Sequence, residues 1–301
     1  MVYEIEVATK VSRRDSLKVS VAFAGSAALA AWPVGQLLAA EHEVLHRQLR
    51  FTISLTNPLA EELPHQVLWL YLPVAQTPTQ ELDAVKVSMP HELISDALGH
   101  SIVKLSLASV APLASKVVNV VADVRLKSEP VLSSLADTQD WLSAERFIEV
   151  ADARIHAVAT ALKRPTAHET AHSIYDWVRQ HLQYAGYVAD DKGALYALAQ
   201  RRGDCTEYAY LVVALSRANG IPARMVGGYV VDRNMALRSQ DYHNWAEAYF
   251  DGAWRLIDAQ KEHWLAPAEQ YVAFRYYRDA MLNPLGRAHR YYMQGALEVK
   301  Y

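Results

Sequence analysis

The chain has 301 residues, a formal net charge of -3 and 51% hydrophobic residues. A chain of this length and composition can bury one large core or two ordinary ones. Its near-neutral charge provides no basic surface for a polyanion, so we expect no nucleic-acid partner. The sequence shows no repeat, no glycine-rich phosphate loop and no histidine or cysteine cluster with metal-ligand spacing, so we expect neither a metal nor a cofactor.

Residues 1–40 resemble a twin-arginine export signal. Arg13 and Arg14 precede Lys18 and an uncharged stretch over 19–40 in which alanine, serine and glycine dominate. Such a composition favours a cleaved signal over a permanent membrane anchor, which is the alternative. We therefore expect a periplasmic or otherwise exported protein that contacts the membrane only transiently.

Residues 45–128 carry the pattern of a β-sandwich. Phe51, Ile53 and Leu55 alternate with polar residues, which is typical of a strand with one buried face. Further apolar runs give four more candidate strands, over 67–72, 85–89, 102–107 and 118–126. Five such strands predict an immunoglobulin-like β-sandwich, and because no catalytic constellation lies within it we expect a packing role.

Helical periodicity replaces the strand pattern after this region. Residues 129–164 are predicted to form a linker and helical segment, with one or two helices over 141–162. Another helix is predicted from Thr166 to about Leu182. A second domain, with a C-terminal extension, is predicted over 165–301.

Cys205 is the only cysteine of the chain. Exported proteins usually pair their cysteines, so a single thiol in a polar turn indicates chemistry. Asp204 and Glu207 have capping-box spacing and predict a helix over 205–218 that begins at Cys205. At that position the helix dipole and exposed N–H groups favour the thiolate, and the same N–H groups can stabilise an oxyanion. The alternative is a buried structural cysteine.

Residues 242–258 predict a β-hairpin. Two β runs flank the pair Asp251 and Gly252, which favours a two-residue turn. Such a turn pairs Phe250 with Ala253 and fixes the register of both strands.

This register brings His243 and Asp258 together. Asp258 lies opposite Trp245, so His243 becomes its diagonal neighbour on the same face, within reach of a side-chain hydrogen bond. A three-residue loop would move Asp258 to the other face. The alternative for His243 is a structural histidine.

Together, Cys205, His243 and Asp258 supply a thiol, an imidazole and a carboxylate, which is the set required for nucleophilic catalysis. The stretch 166–260 resembles the transglutaminase-like superfamily, a branch of the papain-like thiol enzymes. The blocks that carry the resemblance are 203–209 (GDCTEYA), 214–224 (ALSRANGIPAR), 227–229 (GGY), 243–247 (HNWAE) and 254–258 (WRLID).

The resemblance implies an α+β fold, in which a helix carrying the cysteine packs on an antiparallel sheet carrying the other two residues. It implies Cys205 as nucleophile, His243 as general base and acid, and Asp258 as the residue that orients the imidazole. The predicted order, with a β-sandwich before such a domain, also resembles that of exported bacterial members of this superfamily.

The function predicted from the triad and the resemblance is cysteine-dependent acyl transfer on peptide or other amide bonds through a thioester. Hydrolysis of a peptide or protein substrate is preferred, which would make the protein a cysteine peptidase or amidase without a cofactor. The alternatives are a protein-glutamine transamidase and a non-catalytic exported binding or assembly module. A metal-centre protein is a weaker alternative because no ligand cluster is visible.

Three further expectations concern the surroundings of the site. The loops 184–201 and 232–241 are expected to determine specificity. Arg224 is expected to form a structural salt bridge rather than a substrate contact. The aromatic-rich tail over 271–301 is expected to pack on the catalytic core rather than to flank a cleft.

Overall fold

The computed structural model describes residues 44–280 and 282–301, so the predicted export signal lies outside the described residues. The strands of the first half are β1 (Val44–Thr56), β2 (Leu63–Tyr71), β3 (Gln80–Val87), β4 (Glu92–Ser95), β5 (Ser101–Val110) and β6 (Ser115–Lys127). Those of the second half are β7 (Gln183–Tyr184), β8 (Arg202–Gly203), β9 (Ala223–Val230), β10 (Met235–Ala236), β11 (Tyr242–Phe250), β12 (Ala253–Asp258), β13 (His263–Trp264), β14 (Tyr271–Tyr276), β15 (Tyr291–Gln294) and β16 (Glu298–Lys300). The α-helices are α1 (Ala153–Leu162), α2 (Ala167–His181), α3 (Ala194–Gln200) and α4 (Cys205–Ala218).

Strands β1 to β6 form two antiparallel sheets that share one hydrophobic core. One sheet contains β1, β6 and β3 in that order, and the other contains β2, β5 and β4. In β1 the side chains of Phe51, Ile53 and Leu55 are buried while the polar residues between them are not, as the alternation predicts. All five predicted strands are present, and β4 is an addition. The two-layer arrangement is therefore observed, and its classification as immunoglobulin-like stays a prediction.

Three short strands from the second half extend these two sheets. β10 pairs in parallel with β1, β16 pairs with the far end of β1, and β15 pairs with β2. The described residues belong to one compact unit. The division into 45–128, 129–164 and 165–301 stays a prediction, but strand pairing crosses it.

The prediction of one or two helices over 141–162 was wrong for the first half of this range. Trp141 ends a short 3-10 turn, and the α-helix begins only at Ala153. The Asp152 carboxylate accepts the backbone N–H of Arg154 and so caps the helix at this point, because an aspartate before the first turn satisfies a donor that has no partner within the helix. The helix predicted from Thr166 is confirmed as α2, with a capping box between Thr166 and Glu169. None of the helices in the described part of the chain is long and apolar enough to cross a membrane.

A further sheet, separate from the two sheets of the sandwich, supports α4. Its strand order is β13, β12, β11, β9 and β14, and all pairs are antiparallel. Helix α4 packs against β11 and β9, and nearly all of its side chains from Thr206 to Arg217 are buried. Arg217 is held by the Glu145 carboxylate at 2.9 Å and by the carbonyl of Ala223. The helix is therefore fixed on several sides, which fixes the position of its first residue.

Gly228 provides a test of the packing of this sheet. It lies opposite His243 in strand β9, and a methyl group there would overlap the carbonyl oxygen of Val272 on β14. We expect Gly228→Ala to lower the free energy of unfolding by roughly 1–3 kcal/mol, because the strands must shift apart. Denaturant unfolding measures this. Gly220→Ala is the control, since space is open there and only the φ of 76° should cost about 1 kcal/mol. Equal losses in the two variants would contradict the packing argument.

Candidate active site

Cys205 is the first residue of α4, as predicted. The Asp204 side chain accepts the N–H of Thr206 at 2.8 Å, and the Glu207 side chain accepts the N–H of Asp204 at 3.1 Å, which completes the predicted capping box. Gly203 precedes the cap, and a side chain there would overlap Glu207. The sequence Gly-Asp-Cys-Thr-Glu therefore presents the cysteine at the helix N-terminus.

The hairpin has the predicted two-residue turn. Asp251 and Gly252 have φ values of 51° and 73°, and positive values at both positions are those of a type I′ turn. Phe250 pairs with Ala253, and the register continues to Ala246 and Ile257. The predicted register is therefore confirmed.

This register brings His243 and Asp258 into contact. His243 Nε2 lies 2.6 Å from Asp258 Oδ2, and both residues are buried. The carboxylate thus occupies one ring nitrogen of His243 and leaves Nδ1 for another partner. Asp258 also accepts hydrogen bonds from the Tyr271 hydroxyl at 2.7 Å and from the N–H groups of Gln260 and Lys261.

Asp258 retains its negative charge despite this burial. Burial alone raises the pKa of a carboxyl group, but the hydrogen bond and charge of His243, with the donors from Lys261 and Tyr271, leave the pKa of Asp258 below its ordinary value of 3.8. An anionic Asp258 can hold the imidazole in one orientation and stabilise its protonated form. Sequence reasoning missed Tyr271, since no local pattern connects a tyrosine on β14 to an aspartate on β12.

The thiol of Cys205 lies next to Asn244 on β11, the residue that follows His243. No hydrogen bond joins it to His243 within residues 44–280 and 282–301, but the backbone N–H of Asn244 and the hydroxyl of Thr206 both donate towards the sulfur. Asn244 Nδ2 also donates to Thr206 Oγ1 at 2.9 Å, which ties α4 to β11 at the site. In enzymes without bound substrate, the hydrogen bond between nucleophile and base is often long, and it shortens only when substrate binds.

The expectation that the helix terminus favours the thiolate was wrong for this geometry. Although Cys205 is partly exposed as a residue, burial of its sulfur and the negative charge of Asp204 raise the pKa of the thiol to about 12. The donors from Asn244 and Thr206 act in the opposite direction but do not outweigh burial. Cys205 is therefore a neutral thiol at pH 7, and it needs a base to become a nucleophile.

A cleft of about 730 Å³ opens beside Cys205. Both loops predicted to determine specificity contribute to it, the first through Tyr187 and Asp191 and the second through Ser239 and Gln240. The tail packs on the core through the buried residues Tyr271, Tyr276 and Tyr277, as expected, and it also flanks the cleft through residues 288–291, which was not expected. A depression of about 780 Å³ around α2 contains none of the three predicted residues.

A chain of hydrogen bonds connects the tail to the neighbourhood of the sulfur. His289 Nδ1 lies 2.7 Å from the Tyr277 hydroxyl, which donates to Asn244 Oδ1 at 3.0 Å. Asn244 in turn donates to Thr206. Sequence analysis predicted no contact between Asn244 and the tail, because the contact depends on how distant segments meet.

Arg224 is a structural residue, as predicted. Its guanidinium lies 2.6 Å from the Glu247 carboxylate and packs over the rings of Trp254 and Tyr276 at 4.1 and 3.8 Å. These contacts are all made to side chains of the fold itself. In the described part of the chain, no group of three or more His, Cys, Asp or Glu side chains has the arrangement of a metal site.

The Asp258 charge predicts a specific acid dependence of stability. Because the pKa of Asp258 is lower in the folded than in the unfolded chain, its stabilisation is fully present above the unfolded value of about 3.8 and is lost as pH falls through the folded value. We expect Asp258→Asn to remove this part of the loss of stability below about pH 4. Chemical denaturation at several pH values measures it. Asp232→Asn, at an exposed loop position, is the control. If the free energy of unfolding falls at low pH in Asp258→Asn as much as in the wild-type protein, Asp258 does not cause this loss.

Tyr277 predicts a second measurable effect. Without its hydroxyl, Asn244 loses the partner that holds it against Thr206, and both donors that lower the thiol pKa become less well placed. We expect Tyr277→Phe to slow alkylation of Cys205 by roughly 2- to 10-fold at fixed pH. Mass spectrometry of the labelled protein measures the rate. Tyr229→Phe is the matched control, since the hydroxyl of this buried tyrosine donates to Tyr301 and not to Asn244. Equal slowing of alkylation in both variants would show that the effect comes from packing and not from the hydrogen bond to Asn244.

Comparison with known proteins agrees with this architecture. The family model for the transglutaminase-like superfamily matches residues 155–259. An uncharacterized protein of Mycobacterium leprae (strain TN) is 32% identical over 111 residues, which are 34% of this chain. The match spans 38% of that relative's length.

One of the solved structures with detectable similarity shows the same fold. A crystal structure of a candidate cysteine protease from Cytophaga hutchinsonii superposes with a TM-score of 0.60 at 20% identity, covering 86% of this chain and 90% of that one. The periplasmic domain of TgpA from Pseudomonas aeruginosa, bound to ethylmercury, gives a TM-score of 0.40 at 17% identity over 77% of this chain and 94% of that one, which is too low to support an argument. The segment that matches the transglutaminase-like superfamily model, residues 155–259, contains Cys205, His243 and Asp258.

Proposed function

We propose that the protein is a cysteine-dependent acyl-transfer enzyme that acts on peptide or other amide bonds. The observation that carries the proposal is the 2.6 Å contact between His243 Nε2 and Asp258 Oδ2, beside the chain's single cysteine. A buried carboxylate that fixes the imidazole is the arrangement that makes histidine an effective base for a neighbouring nucleophile. Cys205 is the nucleophile, His243 the general base and acid, and Asp258 the orienting residue.

The raised thiol pKa determines how the reaction begins. A neutral thiol does not form a standing ion pair with His243, so His243 Nδ1 takes the proton as the sulfur attacks the carbonyl carbon. The carbonyl π bond becomes an oxyanion, for which the backbone N–H of Cys205 is the donor we assign. The protonated His243 then gives its proton to the leaving amine as the C–N bond breaks, and a thioester remains on Cys205.

Hydrolysis is the preferred second half of the reaction. Water attacks the thioester while His243 accepts its proton, the acid product forms, and the thiol recovers the proton. The resemblance to bacterial peptidases in this superfamily and the description of the Cytophaga hutchinsonii protein as a candidate cysteine protease support hydrolysis. An amine in place of water would give a transamidase, and this remains the alternative because the triad residues are the same in both cases.

Substrate and location follow as parts of the same proposal. A cleft of about 730 Å³ accommodates a few residues of a peptide or protein chain. The paired arginines before residues 19–40 support export to the periplasm, with the membrane contacted only through the signal. No step of this scheme requires a cofactor.

Cys205→Ala and His243→Ala test the proposal. In an assay with a library of fluorogenic peptide amides, we expect each variant to lose at least about 10³-fold in kcat/KM, because the nucleophile and its base act as a unit. His156→Ala, at an exposed helix position, is the control and should keep full activity.

The products of the same assay separate the alternatives. Addition of a primary amine with mass-spectrometric analysis distinguishes hydrolysed from amine-exchanged product, and exchange without hydrolysis would overturn the preference for a hydrolase. A binding module would instead retain its peptide ligands in Cys205→Ala and show no turnover in the wild-type protein.

A further inference from the structure

The charged side chains of the Cys205 cleft are not all neutralised within the fold. Four such residues line it, namely Asp191, Asp204, His289 and Arg290. The carboxylate of Asp204 is occupied by the backbone N–H groups of Thr206 and Val188 at 2.8 and 2.9 Å. This negative charge is therefore already stabilised by the protein.

Asp191 is likewise occupied. It accepts the Tyr210 hydroxyl at 3.0 Å and lies 3.5 Å from His289 Nε2. The hydrogen-bond chain described above also uses the other ring nitrogen of His289, through Tyr277. Asp191 and His289 thus form one internally paired unit on the cleft wall.

Arg290 differs from these three residues. It makes no ion pair with any acid in residues 44–280 and 282–301, and its Nη1 is buried without a hydrogen-bond acceptor. The guanidinium lies over the rings of Tyr242 and Tyr301, with centroids at 5.9 and 5.0 Å, so it is held in place without being neutralised. The backbone is fixed as well, since the Arg290 carbonyl accepts the N–H of Tyr71 at 3.0 Å.

We propose that Arg290 forms an anion subsite in the Cys205 cleft that recognises a carboxylate of the substrate. A held, uncompensated guanidinium is suited to a carboxylate, since its N–H donors match the two oxygens and the exchange of water for a charge-assisted pair favours binding. This inference rests on the proposed function, and it identifies the preferred amide substrates as those with a carboxylate near the bond that is cleaved. That group is either a side-chain carboxylate or the free carboxyl end of a peptide.

The lone cysteine allows the subsite to be tested without a known substrate. Iodoacetate and iodoacetamide have nearly the same shape and the same leaving group: in each, sulfur forms the new bond to carbon, iodide departs with the electron pair, and the thiol proton passes to His243 or solvent. Only the first carries a carboxylate. The ratio of their alkylation rates at Cys205 therefore reports recognition of the anion separately from the reactivity of the thiol.

We expect Arg290→Gln to lower the ratio of the iodoacetate rate to the iodoacetamide rate roughly fivefold, because the cleft loses one positive charge and solvent screens part of its effect. Arg290→Lys keeps the charge and should retain most of the preference. Arg287→Gln is the matched control, because it removes the same charge from an exposed position in the same segment. A ratio unchanged in Arg290→Gln, or lowered equally in Arg287→Gln, overturns the subsite.

Protection against iodoacetamide then identifies the source of the carboxylate. The competitors are acetyl-Ala-Ala with a free carboxyl end, acetyl-Glu-Ala amide with a side-chain carboxylate, and acetyl-Ala-Ala amide with neither. Protection by one of the acidic peptides, lost in Arg290→Gln, supports the subsite and names its ligand. Equal protection by the neutral peptide, or none by either acidic peptide, overturns it.

The outcome is independent of whether the proposed enzyme activity is correct. If turnover survives Cys205→Ala, the proposed function fails while the alkylation ratio still reports on Arg290. If turnover depends on Cys205 but the ratio does not depend on Arg290, the enzyme assignment stands and the subsite fails. Thermal unfolding of each variant verifies that the comparison is between folded proteins.

Discussion

The site depends on the length of one turn. With two residues in αL geometry at Asp251 and Gly252, β11 and β12 pair in a register that carries His243 and Asp258 to the same face. Strand side chains alternate between faces, so a shift of one residue would separate imidazole and carboxylate by the thickness of the sheet. The contact at 2.6 Å is thus a consequence of backbone geometry some eight residues away, at a position that itself does no chemistry.

Two opposing effects act on Cys205, and their balance shapes the chemistry. A helix N-terminus contributes about half a positive charge, and its effect falls off within one turn. Burial acts on the full charge of a thiolate, and the nearby Asp204 carboxylate adds repulsion, so the neutral thiol is favoured. Under the proposed function, the helix therefore positions the sulfur, and the pair of His243 and Asp258 supplies the base that removes its proton.

Local signals predicted two elements of the structure well. The capping box of Asp204 and Glu207 predicted the first residue of α4, and the Asp-Gly pair predicted the hairpin register. Both depend on short-range geometry, for which residue type is a sufficient guide. The strand alternation around Ile53 was equally local.

What the sequence left open depends on contacts between distant segments. Tyr271 reaches Asp258 across the sheet, and His289 reaches Asn244 only through Tyr277. The apolar periodicity over 141–162 resembled a helix throughout, but an aspartate at 152 decided where the helix begins. The thiol pKa was misjudged for a related reason, since burial of a side chain is set by the packing of the whole domain and not by its neighbours in sequence.

The pairing of β1 with β16 has a consequence for how the chain folds. Leu55 in β1 lies opposite Val299 in β16, so this edge of the sheet forms only after all the segments between them have been made. Contacts of such large sequence separation slow folding, because the entropy of closing a long loop is lost before the contact stabilises anything. Residues 288–291, which line the Cys205 cleft, lie between β14 and β16, and their arrival is therefore a late event. Strands β1 to β6 can pair with one another well before residues 288–291 complete the lining of the Cys205 cleft.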